Sequence, residues 1–165
     1  MLRRRALPLV ALGLLLVACG GGQAKVARTA QYKTDTTTIF KAVVDAAGKK
    51  HKVERADAPS LTLVTVPRWF EPDGTYAAKD ADGGAMLQDG AILLRYLIQV
   101  VPGATEGTFQ VQVTPQMRQV RSGFAPTELK ADDLSVPGWV HGKTDDLYET
   151  IYTSLQPYVV TTAGT

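Results

Sequence analysis

Cys19 is the only cysteine of the 165-residue chain, so no internal disulfide is open to it, and in an exported chain an odd cysteine needs an explanation. A free reactive thiol and an intermolecular disulfide are two readings, but neither accounts for its place directly after Leu16-Val17-Ala18. The remaining chemistry-bearing side chains are scattered. His51 and His141 are far apart and neither sits at a metal-ligand spacing. Asp80-Ala81-Asp82-Gly83-Gly84 has the aspartate spacing of a calcium loop, yet Gly84 stands where an oxygen ligand is required and Ala91 where the closing glutamate belongs. Adjacent carboxylates at Asp132-Asp133 and Asp145-Asp146 do not face each other on a helix, and capping and solubility explain them more cheaply than acid–base work. There is no G-x-S-x-G elbow and no phosphate-cradling glycine loop. The expectation is therefore no catalytic residue, no metal and no cofactor. Aromatic side chains at loop edges anchor partners in many interfaces, which makes Trp69, Phe70 and Trp139, with Tyr148 and Tyr152 on a later helix, the candidate partner or ligand contacts. The competing reading for each is packing.

The elements that must position these residues begin with a leader. Arg3, Arg4 and Arg5 precede an uncharged run, residues 6–18, the basic head and apolar middle of an export signal. Thirteen residues are too few for a membrane span, which needs roughly 17–25. Pro8, Gly13 and the exit Gly20-Gly21-Gly22 suit a buried helix poorly. Leu16-Val17-Ala18-Cys19 resembles the lipobox of bacterial lipoprotein precursors. That resemblance implies removal of residues 1–18, a diacylglycerol on the Cys19 thiol and a further acyl chain, such as palmitate, on its new amino group. Two or three chains anchor stably where one is marginal. In enterobacteria an aspartate just after the lipidated cysteine tends to retain lipoproteins in the inner membrane. Gly20 stands there, so the resemblance points to the outer membrane, periplasmic face.

Losing the three leader arginines takes Lys+Arg from 18 to 15 against 16 Asp+Glu, a mature formal charge of −1. The apparent basicity belongs to the leader, and nothing favours nucleic acid, which demands a clustered basic surface. The mature length suits one domain with its own core. The Lys49-Lys50-His51-Lys52 run could meet lipid headgroups, though a solvated helix end explains it more simply.

Residues 19–25 read as the lipidated cysteine and a flexible tether, because glycine is costly to order. Residues 26–158 read as the single domain and 159–165 as a tail. Within the domain, 26–32 gives a weak strand signal. Residues 36–47 form a helix capped by Asp35 or Thr36, with Ile39, Phe40, Val43, Val44 and Ala47 on one stripe and Gly48 ending it. A hairpin follows at 51–56 and 61–67, then a long loop at 71–90 marked by Asp-Gly turns. Residues 91–101 are the strongest strand, with Ile92, Leu94, Tyr96, Ile98 and Val100 on one face and Leu93, Arg95, Leu97, Gln99 and Val101 on the other. Residues 108–114 alternate as a half-buried strand. Residues 122–142 read mostly as loop. Thr144 caps a second helix bearing Leu147, Tyr148, Ile151, Tyr152 and Leu155, which Pro157 stops.

The order β-α-β-β-β-β-α predicts an α+β domain, an antiparallel sheet of about five strands with both helices on one face. With the lipobox, the early helix, the Lys52-Val53-Glu54-Arg55-Ala56-Asp57 and Leu61-Thr62-Leu63-Val64-Thr65 strands and the closing helix, the chain resembles BamC-type lipoproteins, accessory subunits of the outer-membrane β-barrel assembly machine. The resemblance implies a helix-grip topology and a non-catalytic protein-interaction module with an envelope protein partner. Binding of a lipid or other apolar ligand in a groove between sheet and second helix is the alternative. Oligomeric state is not legible.

Overall fold

The computed structural model describes residues 21–77 and 87–160. The leader, Cys19 and the aspartates at 80 and 82 lie outside the described residues. The domain is α+β, with six antiparallel strands and three α-helices. No described helix is long and apolar enough to cross a membrane.

The first helix, α1 (Gly21–Thr29), replaces most of the expected tether and the weak strand at 26–32. Ala24, Ala27 and Ala30 recur every three residues and are all buried, a stripe whose packing outweighs the cost of Gly21 and Gly22 at the helix start. Tyr32 alone keeps an extended role, bridging Phe109 on one side and Val159 on the other. The Val160 N–H donates to the Gln31 carbonyl, so 159–160 belongs to the domain and not to a tail.

Helix α2 (Thr36–Lys50) starts as expected, with the Asp35 carboxylate accepting the Thr38 N–H at 2.9 Å. It runs past Gly48, whose missing side chain faces open space, and presents Ile39, Phe40, Val43, Ala46 and Ala47 to the core. The hairpin β1 (Val53–Asp57) and β2 (Thr62–Thr65) follows. A short strand, β3 (Arg68–Phe70), then pairs with the same side of β4 (Ile92–Pro102) that β2 uses.

Strand β5 (Phe109–Arg121) is longer than expected and turns through Gly123 into β6 (Phe124–Leu129), a strand where the sequence reads as loop. The prolines conceal both. Pro126 lies on the sheet's outermost strand, where a missing N–H is tolerated. Pro115 falls beyond β6's last pairing at Met117, where β5 has only β4 beside it. The main order is β1-β2-β4-β5-β6. Helix α3 (Gly138–Leu155) begins six residues before Thr144, with Pro137 at its cap. Thr144 is buried in mid-helix and its hydroxyl donates to the Val140 carbonyl at 2.8 Å.

Both long helices cover one face of the sheet. Ile39, Val43, Leu63, Ile92, Tyr96, Ile98, Leu147, Ile151 and Leu155 are all at most 1% exposed, so the layer between sheet and helices is filled by side chains. Helix α1 lies against α3, held by Arg28, whose guanidinium meets Asp145 at 2.6 Å and lies 5.0 Å from the Tyr148 ring centre. It also covers the first half of β5, which β6 leaves free. Here the Gln110 side chain donates to the Arg28 carbonyl at 2.8 Å.

Candidate functional site

The expected aromatic contacts are parted by the pleat of β3. Phe70, opposite Ile92, points to the helix side and is 7% exposed. Its ring centre lies 5.4 Å from that of Trp139 and 6.1 Å from that of Tyr76. Trp139 belongs to the first turn of α3, not to a loop, and its indole N–H donates to the Pro72 carbonyl at 3.0 Å. Gly74, at φ +88°, lies directly against that indole: a Cβ there would meet Trp139 Cγ at 2.7 Å. Lys143 Nζ sits 4.9 Å above the Phe70 ring. Phe70 and Trp139 thus clamp the 71–77 segment onto the end of α3. Trp69 is opposite Leu93 and shares the other sheet face with it.

Tyr148 and Tyr152 are packing residues. Tyr148 is 8% exposed, and its hydroxyl oxygen accepts the Val113 N–H at 2.8 Å, satisfying a β5 amide that β6 does not reach. Tyr152 is half-buried against the core.

Beside the core lies a second polar group. The His51 ring stands 5.0 Å from the Tyr96 ring. Burial, then the nearby Arg68 charge, holds the imidazole below its ordinary pKa, with Asp146 opposing. Burial pushes the Tyr96 hydroxyl up to about 12. Among the described residues the Tyr32 hydroxyl has no hydrogen-bond partner, the Tyr96 hydroxyl lies beside the Thr144 side chain, and no three of His, Cys, Asp and Glu come together as a metal site. Lys50, from the basic run, reaches Asp146 at 3.0 Å.

The opposite sheet face carries no described helix. Register places Arg118 across from Leu93, Gln116 across from Arg95, and Thr114, Leu97, Val64 and Arg55 in one row. Gln116 Oε1 accepts from Arg95 Nε at 2.8 Å, fixing the plane of the guanidinium. Two open depressions flank this pair. One, of about 460 Å³, lies over Leu93 between Arg118 and Arg95, with Glu128 at its rim. The other, of about 510 Å³, lies over Leu97 and Val64 between Arg95 and Arg55, with Glu54 at its rim. Among the described residues Arg55, Arg95 and Arg118 form no ion pair.

Compared with known proteins, the chain matches no family model and no curated sequence.

The alternation that predicts β4 already puts Leu93, Arg95 and Leu97 on one face. What the sequence does not supply is register, and with it the arrival of Arg118 and Arg55 beside them.

Proposed function

We propose that this chain is a lipid-anchored envelope protein whose folded domain is a non-catalytic protein-interaction module. The observation that carries this reading is the contrast between the two sheet faces: one sealed by α2 and α3 over a filled core, the other open and bearing three arginines without ion-pair partners among the described residues. A filled layer also counts against an apolar ligand held between sheet and α3. The anchor is Cys19, on the strength of its lipobox-like setting, and the BamC-type resemblance suggests an accessory role in outer-membrane protein assembly. Helix α1 starts at Gly21, two residues beyond Cys19, so the module would sit directly at the periplasmic face of the membrane.

The test is metabolic labelling with radioactive palmitate, followed by fractionation and mild-detergent extraction. The wild-type chain should incorporate label, sediment with outer membranes and co-purify with an envelope protein. Cys19→Ser should be unlabelled and soluble. Absence of label in the wild type, with unchanged fractionation of the serine variant, would overturn the anchor.

A further inference from the structure

We infer that the open sheet face is a binding groove for an extended acidic and apolar peptide segment of the partner. This rests on the interaction-module reading above and names the chemistry that such a partner must bring.

The three arginines lie on a diagonal. Arg118 on β5, Arg95 on β4 and Arg55 on β1 occupy successive open-face rows of the sheet. Strand spacing and rise place Arg118 about 8 Å from Arg95, and Arg95 about 12 Å from Arg55. That span, about 20 Å, is the length of roughly six extended residues. The two depressions occupy the intervals between the arginines, floored by Leu93 in one and by Leu97 and Val64 in the other. Three cations therefore follow one diagonal, with the apolar floors beside it in the intervals.

Gln116 holds Arg95 by its ε nitrogen and leaves the two η nitrogens as a fork, the geometry that meets a carboxylate with two parallel hydrogen bonds. Arg95 faces Gln116 and not a carboxylate across the strand pair, unlike Arg118, which stands opposite Glu128, so Arg95 loses little by turning to a carboxylate from outside. A planar anionic membrane fits less well. The apolar floors are recessed, and the rim carboxylates Glu54 and Glu128 would repel a continuous negative surface, whereas a chain can place its acids between them. A six-residue segment with acids and apolar side chains on one face satisfies both features.

The measurement is fluorescence anisotropy on the full acylated chain in detergent. The probe is a labelled seven-residue peptide with Glu, Glu, Leu and Glu at alternate positions and Ser between them, its outer acids about 20 Å apart when extended. Saturable binding that weakens with salt is expected, at least tenfold weaker for the peptide with Gln replacing each Glu. Arg95→Gln should weaken it about tenfold and Arg95→Lys by less, since charge survives but the fork does not. Arg55→Gln and Arg118→Gln should each weaken it severalfold. These side chains lie on the open surface, so unchanged circular dichroism should accompany every loss. Equal affinity for the Gln peptide, no binding, or indifference to Arg95→Gln would overturn the inference. So would phosphatidylglycerol vesicles binding through the same arginines in place of the peptide. An envelope protein that co-purifies equally with wild type and the triple Gln variant would also sink it while leaving the interaction module standing.

Discussion

Two tyrosines make opposite predictions because their hydroxyls meet opposite fates. Tyr148 closes an otherwise unpaired strand amide at Val113, so Tyr148→Phe strands that buried N–H and should lower stability by about 1–3 kcal/mol, read as an earlier urea midpoint. Tyr32 buries a hydroxyl that has no partner among the described residues, so Tyr32→Phe should leave the midpoint unchanged or raise it. His51 supplies a pH dependence. Its folded-state pKa is lowered from 6.5, chiefly by burial, so the folded protein holds that proton less tightly than the unfolded chain. Its contribution to stability is complete above pH 6.5 and is lost as pH falls through the depressed value. Urea midpoints should drop between pH 8 and pH 5, and His51→Gln should flatten that part of the profile. Asp35, held by the Thr38 hydroxyl and then its N–H, and Asp73 and Asp133, held by the N–H and then the hydroxyl of Thr75 and Ser135, keep their carboxyls below the usual range and act at lower pH still.

At the scale of elements, the segment after β3 depends on one close approach. Gly74 combines a left-handed backbone with an indole where its side chain would go, so Gly74→Ala should cost about 1–3 kcal/mol in backbone strain and also shift the emission of Trp139, while Gly90→Ala, with room beside Pro72, should leave that emission alone. The main elements are legible in the sequence. The stripes of α2 and the second half of α3, the hairpin and the alternation of β4 all carry their periods openly, because burial on one side repeats with the geometry of the element. The failures share a cause. Prolines at 115 and 126, and glycines at 21, 22, 138 and 142, favour loop locally, and only strand pairing with β4 or β5 and packing between helices override them. Residue type alone nominates the candidate aromatic contacts, and four of the five, all but Trp69, prove to pack against the core or to secure a loop. The arginine diagonal is invisible along the chain because its members lie on three strands joined only by register.

For the whole molecule, what matters is how little chain separates α1 from Cys19. Helix α1 is fastened to α3 and β5 by buried alanines and by Arg28, so it is not free to pay out as slack. Ala27→Glu, which drives a charge into that contact, should loosen it and expose residues 21–32 to limited proteolysis while the main unfolding transition persists. Were Cys19 acylated as we propose, diffusion of the domain would become a planar search. Encounter rates with a second resident of the same leaflet would then follow copies per area of membrane instead of copies per volume. A target floating free in the aqueous space would gain no such advantage.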